Sequence, residues 1–268
     1  MKNQLHFQKF KSLFINEITK IDLKKSNRGR PCKYNNLFYI DKIMYVLING
    51  IAWNKLDLTN YNITADAIYK KFKKWSIDNV FLNAYNKLFF KYKKHLNNDF
   101  LNTLFIDSTV IPNLNCVKTG YNPKIKNKKS IKLSIIVDEN KIPVSEYISE
   151  SNYHDSTLII DPVDRLKHHT NTIKLVGDLG YITNINTKKI LKNKKVIMIT
   201  PFRRNMKNNV ISKINNKLLS KRYVVEHAFS NIKRRFKRFS VAIDRDYATY
   251  YHWFSIVKTY LMFEHMNK

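Results

Sequence analysis

The stretch KRYVVEHAFSNIKRRFKRF, residues 221–239, sets one acid, Glu226, between Arg222 four residues before it and Lys233 seven after it. On an α-helix, steps of four and seven residues return to within about 40° and about 20° of the starting direction. The three side chains therefore share one side of a helix expected over 218–237, with Lys237 another turn on. Such a face can hold a metal-bound phosphate between positive charges. Upstream, Asp107 and Asp178 each follow a short apolar, strand-like run, TLFI at 103–106 and IKLV at 173–176.

Cleaving a phosphodiester by in-line attack requires charge to be neutralised on the entering and the leaving oxygen. Two divalent ions about 4 Å apart, bridged by carboxylates, do this. Hard oxygen ligands select Mg²⁺ or Mn²⁺. Acids at strand ends and on a helix over the sheet can converge although remote in sequence. Asp107, Asp178 and Glu226 are so placed, and together they suggest a two-metal nuclease or phosphoryl-transfer site. Taken singly, each is an ordinary solvated acid.

The other acids have simpler readings. Asp138 and Glu139 belong to a turn, Asp155 to a helix cap, and Asp244 and Asp246 to a connection. His154 reads as a hydrogen-bonded structural histidine. There is no Gly-rich phosphate loop and no local Ser/His/Asp signature.

Charge points to the partner. The 268 residues carry 49 Lys and Arg against 20 Asp and Glu, a net +29. Self-repulsion makes that excess costly, and a polyanion, most often nucleic acid, relieves it. Compositional drift towards Lys, Asn and Ile accounts for Lys over Arg but not for so few acids. A hydrophobic fraction of 44% is that of a folded chain. Cys32 and Cys116 stand alone, which excludes a zinc cluster or a disulfide framework. The opening MKNQLHFQKFKSLF lacks the continuous apolar core of a signal peptide. No apolar run approaches the roughly 18 residues of a membrane span. A soluble, intracellular protein is expected, cytoplasmic in a prokaryote and otherwise nuclear or in a viral factory, not secreted.

Residues 1–34 form a basic segment with a short amphipathic helix (Phe7, Phe10, Leu13, Phe14, Ile18), followed by SNRGRPCK at 26–33. Arg28 and Arg30 there suit an A·T-rich minor groove, or a solvated linker. Ile40, Ile43, Met44, Leu47, Ile48 and Ile51 trace an amphipathic helix with Gly50 near its end. Thr64 is an N-cap for a second helix, buried through Ile68, Phe72 and Trp75 and basic through Lys70, Lys71, Lys73 and Lys74. Two such helices resemble a helix-turn-helix, or equally a helical hairpin with a charged exterior. A third helix follows at 80–96. Beyond a boundary at 97–99 the pattern changes. A basic, Asn-rich loop is expected at 118–129, strands at 131–137 and 142–148 around a tight turn at 138–141, and a helix starting at Asp155 or Ser156. Strands at 173–176 and 196–200, a basic helix at 186–191, and helices at 218–237 and 247–266 complete the chain. The class is α/β, a helical block followed by a mixed sheet with flanking helices.

These motifs, in this order, resemble the DDE transposases of bacterial insertion sequences. Their C-terminal signature is Tyr, two residues, Arg, three residues, Glu, six residues, Lys, matched here by Arg222, Glu226 and Lys233. FIDSTVI carries Asp107 in the first-aspartate setting, and VGDLGY carries Asp178 in the second. VDENKIPVSEYISESNYHDS matches the intervening hairpin and its His-Asp helix start. RGRP, YVLINGIAW and IYKKFKKW resemble the family's N-terminal helical domain. Leu219 stands at the signature Tyr, and Ser134 where the family often has His.

The resemblance implies a helical, helix-turn-helix-like DNA-binding domain at 35–98 and a ribonuclease-H-like catalytic domain at 99–268. It implies two Mg²⁺ or Mn²⁺ ions on Asp107, Asp178 and Glu226, with Arg222, Lys233 and Lys237 orienting Glu226 or holding DNA phosphates. It further implies cleavage at the ends of a mobile element, strand transfer into target DNA, and a homodimer on paired ends. A non-catalytic DNA-binding descendant and a nuclease without strand transfer are the other readings of the same residues.

Overall fold

A computed structural model describes residues 2–23, 32–96, 102–113, 115–126, 128–166, 171–202, 212–240, 243–246 and 248–268. Arg28, Arg30 and the expected boundary at 97–99 lie outside them. The chain divides into two compact units, each interrupted in sequence. One comprises 1–92, 235–241 and 252–268; the other comprises 93–234 and 242–251.

The first unit is helical. α1 (Lys2–Asp22) is longer than the short amphipathic helix expected, and it buries Phe10, Phe14 and Ile18 completely. α2 (Asn36–Asn49) starts at Asn35, whose side chain accepts the Phe38 N–H. It ends at Gly50, whose φ of +66° is the left-handed conformation that glycine adopts without strain. A Cβ at Gly50 would also lie 2.8 Å from the Lys237 carbonyl carbon. α3 (Ala65–Ile77) is capped by Thr64, as its sequence predicts. Fifteen residues, Gly50 to Thr64, separate α2 from α3, far beyond the three or four of a helix-turn-helix. A 3₁₀ turn at Trp53–Lys55 takes up part of that connection and sets Trp53 against Phe72 and Trp253. α4 (Val80–His95) packs Phe81 against Phe14 and Phe72.

The second unit is built on a six-stranded mixed sheet. β1 (Thr103–Pro112) is its spine. The run does not end at Asp107 as expected: Ser108, Thr109, Val110 and Ile111 continue it, because β-branched residues suit an extended, half-buried strand. Asp107 is therefore mid-strand, paired with Ile135. β2 (Gly120–Asn122) and the start of β3 (Lys128–Val137) replace the loop expected at 118–129. The pairing is anchored by Asn122, whose amide donates to the Ser151 carbonyl, and by the bonded Ser130 and Ser151 hydroxyls. β3 also pairs antiparallel with β1 and with β4 (Pro143–Glu150). Asp138 closes the β3–β4 turn by accepting the Asn140 and Ile142 N–H groups.

α5 (Asp155–Leu158) and α6 (Ile160–Asp164) then lead towards β5 (Ile173–Val176), which runs parallel to β1. α7 (Ile185–Asn193) crosses to β6 (Val196–Ile199), parallel to β5. This order, three antiparallel strands then two parallel ones, is the ribonuclease-H-like arrangement. From Ser130 onward every residue of β3 is buried, as in a sheet covered on both faces.

The helix expected over 218–237 is two helices, α8 (Lys213–Ser220) and α9 (Tyr223–Arg235). The chain turns between them at Lys221 and Arg222 and enters a 3₁₀ turn, Lys237–Phe239, after α9. α10 (Ala248–Met266) gives its first turn to the sheet unit and the rest to the helical unit.

Candidate active site

β5 pairs with β1 only as far as Phe105, so β1 runs on beyond its parallel neighbour. The segment after β5 comes back at that place. Asp178 caps the 3₁₀ turn Leu179–Tyr181, its Oδ1 accepting the Gly180 N–H at 2.8 Å. Alternation along β1 puts Asp107 and Thr109 on one face and Ser108 on the other. α9 lies on the Asp107 face, because Lys233 Nζ donates to Thr109 Oγ1.

Asp107 accepts the Ser108 N–H at 2.7 Å and lies in electrostatic reach of Asp178, Asp155 and Arg222. Burial raises its pKa to about 6; Asp178 and Asp155 raise it too, while the Ser108 N–H and Arg222 oppose the rise. Arg222 links the pair to the helix: its guanidinium reaches Glu226 Oε1 at 3.3 Å, one turn along. Glu226 is exposed, in the first turn of α9, where the helix dipole favours an acid. Lys233 is half-buried, and burial lowers its pKa. Asp178 and Arg222 are thus each within electrostatic reach of Asp107, with Glu226 attached through Arg222.

Other predicted residues stand elsewhere. Lys237 lies past the end of α9, in the 3₁₀ turn that belongs to the helical unit. On α3, Lys70 pairs with Asp66, and Lys71 lies over the Tyr39 and Trp75 rings; Lys73 is half-buried and Lys74 exposed. Leu219, at the signature Tyr, sits at the end of α8, where its carbonyl accepts the Arg222 N–H. Ser134 is buried on β3 opposite Ser108.

Asp155 is not the cap it was expected to be. His154 takes that position, accepting the Ser156 N–H on Nδ1. Asp155 instead accepts Ser108 Oγ at 2.6 Å and Lys132 Nζ at 3.1 Å. Beside it Tyr181, 1% exposed, has a pKa raised by burial and by Asp155, Asp107 and Asp178. The sequence signal for both was present, in the acid after His154 and the Tyr three residues after Asp178, but a one-turn cap reading absorbed the first.

Carboxylate oxygens within electrostatic reach of Asp107 have the hard-donor chemistry of a Mg²⁺ or Mn²⁺ site. Among the described residues, however, no three His, Cys, Asp or Glu side chains gather closely enough to enclose a metal ion. No helix among them is long and apolar enough to cross a membrane.

Comparison with curated proteins gives no match. Among solved structures, the chain aligns with the Mos1 strand transfer complex at 10% identity and a TM-score of 0.30, over 96% of this chain and 83% of that one. It aligns with the Mos1 transposase paired-end complex with left transposon end at 12% identity and a TM-score of 0.32, over 96% and 83%. The Mos1 mariner paired end complex with Mn gives 11% and 0.30, over 97% and 84%. Residues 99–262, more than half of the chain, match the family described as the transposase DDE domain. By that match the chain belongs to the transposase DDE family.

Proposed function

We propose that this transposase cuts DNA at the ends of a mobile element and joins the freed ends to target DNA, with Asp107, Asp178 and Glu226 holding two Mg²⁺ or Mn²⁺ ions. The observation that carries the reading is Asp107, half-buried beside Asp178 and Asp155 in a chain whose bases outnumber its acids by 29. With so many bases available, acids gathered against one another suit a cation that arrives with the substrate. When bound, the ions activate the attacking hydroxyl and stabilise the leaving oxygen.

The protein's own groups do the rest. Ser108 N–H and Gly180 N–H fix one oxygen of Asp107 and of Asp178. Arg222, which pairs with Glu226 and acts on Asp107, orients Glu226 in this reading and offers a planar fork to a DNA phosphate. Lys233 ties α9 to β1 through Thr109. The excess of lysine draws in the DNA backbone. Lys70, Lys71, Lys73 and Lys74 on α3, with Arg28, Arg30 and Lys237, are further phosphate contacts in this reading. A homodimer on two paired ends is the assembly it requires.

A DNA-binding descendant without catalysis is the second reading. The observation in its favour is that no three ligating side chains close around a metal among the described residues. Paired DNA ends, taken from the sequence flanking the coding region and incubated with Mg²⁺, separate the two. The first reading expects 3′-end cleavage and joining, and Glu226→Gln removing cleavage while leaving DNA binding within about threefold. Binding without cleavage supports the second reading, and cleavage without joining a simple nuclease. Normal cutting by Glu226→Gln would falsify the assignment of Glu226.

A further inference from the structure

Asp155 is the acid that the reading above leaves without a role. Four residues separate it from β4; it is the first residue of α5, and its side chain is not spent on the helix end, since His154 caps it. Its Oδ1 is held from two sides, by Ser108 Oγ and by Lys132 Nζ, which also donates to the Tyr153 carbonyl. Ser108 holds two acids at once: its hydroxyl donates to Asp155 and its backbone N–H to Asp107. Any displacement of Asp155 is therefore felt at Asp107 through a single residue.

The other oxygen of Asp155 is turned towards the site. A Cβ built on Gly180 would lie 2.9 Å from Asp178 Oδ1 and 3.5 Å from Asp155 Oδ2, so the two carboxylates flank Gly180. Between these acids stands an unsatisfied donor. The Tyr181 hydroxyl is buried, is in electrostatic reach of Asp155, Asp107 and Asp178, and approaches the Ser108 side chain without closing a full hydrogen bond to it or to any other group. A buried phenol whose hydrogen bonding is incomplete is stabilised by a water that completes it.

Resting on the metal-dependent reading of Asp107 and Asp178, we propose that Asp155 is a positioning residue of the acidic site: through Ser108 it fixes Asp107, and its free oxygen, with the Tyr181 hydroxyl, receives the water shell of a bound divalent cation. Lys132 and Ser108 together occupy Oδ1 of Asp155 and leave Oδ2 to face the site, so that Asp155 works by accepting hydrogen bonds. Partners in this position orient metal ligands, and their loss weakens metal affinity about ten- to a hundredfold.

The test is Mn²⁺ binding to the full-length protein without DNA, followed by calorimetry and by the electron paramagnetic resonance of free Mn²⁺. Wild type binds, Asp107→Asn does not, and Asp155→Asn and Ser108→Ala each weaken binding about tenfold or more. Tyr181→Phe weakens it a few-fold. The double variant Ser108→Ala/Asp155→Ala loses no more than Asp155→Ala alone, because each single change already removes the Ser108–Asp155 link. Ser108→Thr keeps the hydroxyl and restores affinity, which a general loss of packing would not allow. If Asp155→Asn fails to fold, Ser108→Ala against Ser108→Thr carries the comparison. Wild-type binding with Asp155→Asn and Ser108→Ala within twofold of it overturns the role of Asp155 and leaves the metal reading standing. No Mn²⁺ binding by wild type overturns both.

Discussion

Two acids set into structure, Glu17 in the helical unit and Asp107 in the sheet unit, respond to burial in opposite ways. Burial pushes both pKa values up. At Glu17, hydrogen bonds and charge from Lys87 and Lys20 more than reverse that, and the pKa falls below its ordinary value. At Asp107 the neighbours are Asp178 and Asp155, Arg222 offsets them only in part, and the pKa stands at about 6. Glu17 is the more deeply buried by accessible surface, only 6% exposed against a half-buried Asp107. What separates an ion pair that holds helices together from the acidic site is whether bases answer the cost of burial: two lysines outweigh it at Glu17, whereas at Asp107 burial remains the largest cause and Asp178 and Asp155 add to it.

The contrast is broken most directly at Asp107. Asp107→Asn is expected to lower DNA cleavage about a hundredfold or more, the scale at which even outer partners of metal ligands begin to count. The same change should stabilise the protein. A carboxyl with a raised folded pKa weakens the fold progressively as pH rises from 3.8 to about 6, and the penalty persists above that. Removing it should gain on the order of 3 kcal/mol at pH 8 and nothing near pH 3. Urea titrations of both proteins at the two pH values check this, and a variant less stable at pH 8 would refute the like-charge account.

Adding the missing charge sharpens the same point. At a hundred times its Kd, Mg²⁺ or Mn²⁺ should stabilise wild type by about 2.7 kcal/mol and leave Asp107→Asn unchanged. Thermal unfolding with and without the ion is the measurement. Glu17→Gln should do the reverse of Asp107→Asn, losing about 2 kcal/mol of stability while cleavage per folded molecule stays constant. A depressed folded pKa means that this loss is present at pH 7 and disappears as pH falls through the folded pKa, below 4.5. The smallest effect belongs to Arg222→Gln. Its pair with Glu226 is largely solvated, so stability should change by less than about 0.5 kcal/mol, while the pKa of Asp107, followed by carboxyl NMR, rises further.

The difference between the two acids was only half legible in the chain. Asp107, Asp178, Arg222, Glu226 and Lys233 could be picked out because each sits at a fixed offset in an apolar run or a helix. The partners of Glu17 could not: Lys87 lies 70 residues away, and nothing local marks the encounter. Asp155 was misassigned for a related reason. An acid at a helix start suits a cap on local grounds, and only the tertiary approach of Ser108 and Lys132 gives it other work. The basic run at 118–129 reads as a loop because its lysines and asparagines are poor strand formers. Pairing with the apolar β3 overrides that preference. α9 was expected to start earlier and end later, since helical periodicity does not register the turn at Lys221 and Arg222.

The helical unit draws its residues from both ends of the chain, and this bears on how the protein is made. Trp253 stacks on Phe72 at 4.2 Å and on Trp53 at 5.7 Å, and Phe263 meets His6 and Phe10. On a ribosome adding residues from the N-terminus, the first helices emerge some 150 residues before the segment that covers them. Their aromatic faces stay open through the synthesis of the whole sheet. Closing them is a long-range step, slow by its topology and exposed to aggregation until the last helix arrives.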